Sequence, residues 1–265
     1  MIYFDNAAST AVHPEVVKEM LPYFDVQYGN PSSIHQFGRK TKNAIEKARK
    51  QVAALIGAEP GEITFTSGGT ESNNTIFLGC PKFQGEKFEL NHIITSSIEH
   101  DAVLEPVREF EKNGVQVTYL PVDEHGLVNP DDITKSINEK TTIVSIMFAN
   151  NEVGTIQPIK EISKICNKYQ IPLHTDAVQA AGKVPINVKE LGIDALSISS
   201  HKINGPKGVG ALFIKKGFAV EAIIEGGGQE NGMRSGTENV ASIVGFGKAC
   251  EIAKERLNEN ISHFQ

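Results

Sequence analysis

Lys202 stands just after the apolar run Leu196-Ser197-Ile198-Ser199 and just before Gly205-Pro206-Lys207-Gly208. An amine at the end of a buried strand can act as a Schiff-base nucleophile once its pKa is lowered, whereas most loop lysines are simply solvated. Asp176 lies 26 residues earlier, after the run Ile171 to Thr175. A carboxylate there can hold a pyridinium nitrogen protonated, the pairing found where pyridoxal 5′-phosphate (PLP) serves as electron sink, or it can cap a helix. Ser67-Gly68-Gly69-Thr70 separates a strand-like run from a helical one. Glycines there let backbone amides converge on a phosphate at a helix N-terminus, and the plain alternative is a turn capped by Thr70. The stretch lacks both the Gly-Lys-Ser/Thr ending of a P-loop and the dinucleotide glycine spacing. His100 can stack on a ring or move protons, although a histidine at a strand end is more often a structural hydrogen-bonder. Taken together these residues supply a phosphate cradle, an amine, an acid and an imidazole.

The elements that must position them follow from periodicity. Ile45, Ala48, Val52, Leu55 and Ile56 form one helical stripe closed by Gly57, and Val103, Leu104, Val107 and Phe110 form another that ends near Asn113-Gly114. Asn129-Pro130-Asp131-Asp132 marks a helix start, and Ile159, Ile162, Ile165, Cys166 and Tyr169 mark a further helical face. Strand-like runs are Ile63 to Thr66, His92 to Thr95, Val115 to Val122, Thr141 to Phe148, Ile171 to Thr175, Ala195 to Ser199 and Val209 to Ile214. A last helix begins at Val240 and still runs at Gln265, while the polar stretch Pro81 to Asn91 reads as a surface loop. Alternating strands and helices predict an α/β fold with a mostly parallel sheet covered on both faces. Such sheets bind ligands outside the carboxyl ends of their strands, so the polar residues after each strand are expected on one rim.

Composition narrows the function classes. The 265 residues are 40% hydrophobic and 22% charged, which excludes collagen, coiled coil and disorder. A net charge of −6 argues against a nucleic-acid partner. No run approaches the ~18 apolar residues of a membrane span, and the start lacks the features of a signal peptide. Three scattered cysteines, Cys80, Cys166 and Cys250, suit neither a disulfide framework nor a metal knuckle. A soluble protein of a reducing, cytoplasmic compartment is expected.

The run Ser199 to Gly208 resembles the PLP-lysine segment of the cysteine desulfurases, in the class V aminotransferase group and closest to the NifS/IscS type. Tyr3 to Ala8, Gly29 to Ser33, Thr66 to Asn73, Glu99-His100, Asn150 to Gly154, Asp176 to Gln179 and Gly226 to Thr237 fit in the same order, across essentially the whole chain. The resemblance implies a PLP-dependent fold type I large domain, with a seven-stranded, mostly parallel sheet sandwiched by helices and an incomplete small domain. Residues 1–15 would belong to the small domain, 16–250 to the PLP-binding domain, and 251–265 to the helix leading to a missing C-terminal part.

By the same resemblance Lys202 bonds PLP covalently, Asp176 pairs with the pyridine nitrogen, and Gln179 and Asn151 bond the ring's phenolic oxygen or its substrate side. His100 stacks on the ring and assists proton transfer, and Gly69, Thr70, Ser199 and His201 hold the phosphate. Thr237 reaches the phosphate of a partner subunit, which implies a homodimer. The implied reaction turns L-cysteine into L-alanine and passes sulfur, through a protein persulfide, to an iron–sulfur scaffold or another acceptor. Asn204 departs from the aromatic or histidine often found at its position. The reactive cysteine and the arginine that binds the substrate carboxylate are expected in the C-terminal third, outside this sequence, and the three cysteines present read as buried and inert. Turnover by these residues alone is therefore expected to be poor. Another class V enzyme, such as an aminotransferase or selenocysteine lyase, and a non-catalytic dimerisation module remain open alternatives, with a nucleotide-binding domain behind them.

Overall fold

Ile93 and Ile94 on one strand, and Ile143 and Val144 on another, send successive side chains into separate apolar clusters on opposite faces of the central sheet. A computed structural model describes residues 2–80 and 91–264 of the chain. In chain order it forms α1 (Pro14–Met20), α2 (Pro22–Asp25), α3 (Gln36–Ile56), β1 (Ile63–Thr66), α4 (Gly69–Gly79), β2 (His92–Ser96), α5 (Asp101–Lys112), β3 (Gln116–Leu120) and α6 (Pro130–Ser136). There follow β4 (Thr141–Ser145), α7 (Ile159–Tyr169), β5 (Leu173–Asp176), α8 (Val188–Leu191), β6 (Ala195–Ser199), β7 (Gly210–Ile214), α9 (Val240–Glu255) and α10 (Leu257–Phe264). The seven strands form one sheet in the order β1-β7-β6-β5-β4-β2-β3. Pairings from β3 through β6 are parallel, and β7 runs antiparallel to both β6 and β1.

The larger cluster packs α1, α3, α6, α7 and α9 on one face, and the smaller packs α4 and α5 on the other. The three-layer α/β architecture expected from the sequence is the one observed. The stripe on α3 ends where expected, with Gly57 in the left-handed conformation at φ 72°. Two expectations change. The apolar run after Thr141 leaves the regular ladder at Ser145, yet Ile146 and Phe148 still donate backbone hydrogen bonds to His174 and Asp176 and stay buried. The last helix breaks at Arg256 and resumes as α10. Of the stretch expected as a surface loop, residues 81–90 lie outside the described residues. Among the described residues no helix is long and apolar enough to cross a membrane.

Candidate functional site

Beyond the carboxyl ends of β2, β5 and β6 lies a cavity of about 530 Å³. Nine of the ten residues singled out in the sequence line it: Gly69, Thr70, His100, Asn151, Asp176, Gln179, Ser199, His201 and Lys202. They come from five strand ends and the segments after them. The tenth, Thr237, is exposed and does not line it.

Asp176 ends β5 as a buried carboxylate. The Val178 backbone N–H donates to Oδ1 at 2.9 Å and Asn73 Nδ2 donates to Oδ2 at 2.7 Å. Burial pushes its pKa up, opposed by these two donors and by the nearby His100 and Lys202. Asn73 was not singled out as a site residue. Its signal was local: an amide one helical turn after Gly69 on α4, at a position that proves fully buried. Its Oδ1 is buried without a partner, as are Glu99 Oε2, Thr175 Oγ1, Ser200 Oγ and Glu238 Oε2.

Lys202 sits in a single 3₁₀ turn after β6. Its Nζ donates to the carbonyls of Ala7 and, at 3.0 Å, Ala8. Partial burial lowers its pKa, while Asp176 and Asp5 pull it back up. The N-terminal segment is stitched to this turn at several points. Thr10 donates twice to the His201 carbonyl, through its backbone at 2.9 Å and its hydroxyl at 2.8 Å. Asn204 accounts for its own departure from the family pattern here. It takes a left-handed conformation (φ 61°), which asparagine tolerates, and its Nδ2 donates to the Ala11 carbonyl at 2.9 Å.

His100 caps α5, its Nδ1 accepting from the Ala102 backbone N–H at 3.0 Å. A neutral ring held this way carries its proton on Nε2. His201 is kept neutral more easily than usual by burial and by the charges of Lys202, Lys207 and Lys183. Glu99 Oε1 accepts from Ser96 Oγ at 2.6 Å and from Met147 N–H at 2.8 Å. Burial pushes its pKa up to about 8, with the Asp176 charge adding to the rise.

The expected cradle opens α4. The first-turn amides of a helix have no intrahelical acceptor, and Gly69 and Thr70, which carry two of them, line the cavity. Gly68 adopts φ 155°, ψ −177°, a region glycine occupies almost alone. At Gly69 a Cβ would lie 2.6 Å from Val178 Cγ2, so the start of α4 packs this closely against Val178 only because it carries no side chain.

The segment that carries Thr237 is anchored to the same strand-and-helix unit. Arg234 Nε donates to Glu71 Oε1 at 2.9 Å, and Glu71 Oε2 accepts from the Ser67 backbone N–H at 2.9 Å. Below it, Arg49 makes a two-point pair with Glu230 at 2.6 and 2.8 Å. Glu230 Oε2 also accepts from the Phe65 backbone N–H at 2.8 Å.

Residues 2–263 match the family model described as aminotransferase class-V. The chain belongs to the class-V aminotransferase family. Within that family it is 54% identical over 260 residues to a protein named cysteine desulfurase IscS from Dictyoglomus turgidum, covering 98% of this chain and 66% of the relative. A protein of the same name from Clostridium botulinum is 51% identical, with 100% of this chain and 67% of the relative covered. The chain thus spans about two thirds of the length of these relatives. Among solved structures, one described as a NifS-like protein superposes with a TM-score of 0.93 at 46% identity, covering 97% of this chain and 71% of that one. Another, described as SspA in complex with cysteine, gives a TM-score of 0.91 at 42% identity over 95% of this chain and 72% of that one. The sheet and its helices are those of these class-V folds.

The three cysteines of the class-V chain lie in its core, with exposures of 7% for Cys80, 1% for Cys166 and 0% for Cys250. Burial pushes the Cys80 thiol up to about 11 and the Cys166 thiol to about 12, and raises Cys250 well above its ordinary value. None is a thiolate near neutral pH, and none lines the cavity.

Proposed function

We propose that these residues form the PLP-binding part of a cysteine desulfurase, acting on L-cysteine to give L-alanine and transferable sulfur. The observation that carries the reading is one cavity holding an amine of lowered pKa, a buried carboxylate and a glycine-opened helix N-terminus. The cavity residues fit a phosphorylated pyridine. Asp176 accepts only one hydrogen bond per oxygen, leaving capacity for a pyridinium N–H, and the buried, unpartnered Asn73 Oδ1 lies beside it. Gly69 and Thr70, in the first turn of α4, line the cavity and offer backbone amides to a phosphate.

In this reading Gly69, Thr70, Ser199 and His201 hold the phosphate, and Lys202 forms the covalent attachment. Bound PLP supplies an electron sink for the bonds at the substrate Cα. The Lys202 amine, its pKa lowered by partial burial, would accept and return the proton at the substrate Cα. His100, with Nδ1 tied to the Ala102 N–H, presents Nε2 to the reacting face. Asn151 and Gln179 orient the ring and substrate. Sulfur transfer requires an accessible thiolate, and none of the three cysteines supplies one. These residues therefore hold the cofactor and labilise the substrate, but complete the transfer only when a thiol is provided.

The exposed Thr237, on a segment pinned by Arg234 and Arg49, suits contact with a second copy and supports the homodimer. The sulfur acceptor is an iron–sulfur scaffold or similar protein, and the three free cysteines support a reducing, cytoplasmic setting.

The test is reconstitution with PLP. The chain should gain the visible absorption of a lysine-bound cofactor, and Lys202→Ala should lose it. Alanine release from cysteine should be low and should rise when an external thiol is added. A chain that gains no absorption, or one in which Lys202→Ala behaves as the parent, overturns the reading. Preference for a different amino-acid donor would move it to another class-V activity.

A further inference from the structure

Lys183 is a half-buried cation whose hydrogen-bond partner is an amide, and among the described residues it forms no ion pair. Such a placement costs free energy unless the position uses the charge. Two successive turns follow β5: Ala181 N–H donates to the Ala177 carbonyl at 2.9 Å and Val184 N–H to that of Ala180 at 3.0 Å, with Gly182 left-handed (φ 71°) between them. These turns fold the chain back so that the Gln179 and Lys183 side chains meet. Lys183 Nζ donates to Gln179 Oε1 at 2.8 Å. Gln179 Nε2 donates to the Ala7 carbonyl at 2.9 Å, the same oxygen that accepts from Lys202.

This chain of contacts decides the direction of the amide. An ammonium offers donors only, so it tolerates Oε1 and repels the NH₂ end. Turned over, Gln179 would set its NH₂ against Lys183 and its oxygen against the Ala7 carbonyl, exchanging two hydrogen bonds for two repulsions. With Oε1 taken by Lys183, the NH₂ group is the end toward Ala7 and Lys202, and it keeps one proton beyond that given to Ala7.

We propose that Lys183 is a positioning residue of the cofactor site, fixing the Gln179 amide with its N–H end toward an oxygen acceptor on the bound ring. The proposal rests on the PLP reading for the identity of that acceptor, but the amide orientation itself does not. Burial and the Lys202 charge bring the Lys183 pKa down to about 8, so its grip on Gln179 weakens as pH rises through that value. The charged groups that bear on it are Lys202 and His201 from the turn after β6, with Asp176 and Asp5 acting on Lys202 from β5 and the N-terminal segment. Glu152, Glu161 and Arg256 line the neighbouring cleft that Lys183 also borders.

The first test needs no cofactor. In the ¹⁵N-labelled chain, the Gln179 side-chain NH₂ signals, assigned by their loss in Gln179→Leu, should titrate near pH 8. In Lys183→Met that titration should vanish, and in Lys183→Arg the signals should stay at their low-pH position. Signals that ignore both pH and Lys183 overturn the proposal. The second test adds PLP. Lys183→Met should weaken PLP binding about tenfold, the loss of roughly one hydrogen bond, while Lys183→Arg stays within about threefold. In the Gln179→Leu background the same Lys183→Met change should add less than about twofold, because it acts through Gln179. An undiminished effect in that background would show Lys183 acting by another route and sink the proposal. Should Lys183→Met fail to fold, Lys183→Gln keeps a donor without charge and should preserve the orientation but lose the titration. Failure of the parent chain to gain PLP absorption, with the NMR titration intact, would count against the cofactor reading alone.

Discussion

Arg49–Glu230 and Asp176 are both charges taken out of water, and the chain treats them in opposite ways. The pair beneath β1 finds a protein partner for every charged end. Glu230 accepts from both guanidinium ends and from Phe65 N–H, while Arg49 also donates to the Ile63 carbonyl at 2.9 Å and lies 4.9 Å from the Phe65 ring centroid. Their side chains are 6% and 3% exposed, so nothing from solvent is needed. Asp176 receives one donor per oxygen, and the Oδ1 of one of them, Asn73, has no partner. Of the five buried, unpartnered side-chain atoms among the described residues, Asn73 Oδ1 belongs to a residue that lines the cavity. The enclosed pair is partnered by the protein alone, whereas at the cavity an acceptor is left open, at a cost of about 1–3 kcal/mol.

The contrast breaks most easily at the clamp. Arg49→Met leaves Glu230 buried with only the Phe65 N–H, and should cost about 3–5 kcal/mol in urea unfolding. A loss below about 1 kcal/mol would mean that the enclosed pair is not a stabilising clamp.

Glu99 gives the next largest effect, through pH. Its folded pKa is about 8 against an ordinary 4.5, so between those values the folded chain holds a proton that the unfolded chain has released. Stability from this group is therefore fully present below the lower value and falls as pH rises toward 8. Glu99→Gln removes the titration, and the gain of the variant over the parent should grow by on the order of a few kcal/mol from pH 5 to pH 8. A pH-independent difference would show that Glu99 is ionised throughout.

Asn73→Ala should be the mildest for the fold, at about 1 kcal/mol, but should weaken PLP binding roughly tenfold by removing a donor from Asp176. Equal effects on folding and binding would erase the distinction between the two regions.

Local patterns carried most of the architecture. Ile63 to Thr66 and Ala195 to Ser199 are strands to the residue, because each run is bounded by residues that leave the ladder at once. The rim was legible for the same reason: once the strands are placed, their carboxyl ends must converge. Long-range contacts were not legible. Arg49 and Glu230 are 181 residues apart, Asn73 and Asp176 103, and Glu71 and Arg234 163, and no periodicity links them. Lys183 carries no local signal of its own, and only folding shows that its partner is Gln179. The direction of β7 was equally hidden, since an apolar run reads the same forwards or backwards.

The buried thiols have a practical consequence. With Cys80, Cys166 and Cys250 enclosed and protonated, the folded chain is a silent background for thiol-directed reagents. A single cysteine introduced on the surface could carry a fluorophore, a cross-linker or a spin label without competing reaction, so distances from the cavity mouth to any docked protein can be measured on an otherwise unaltered sequence.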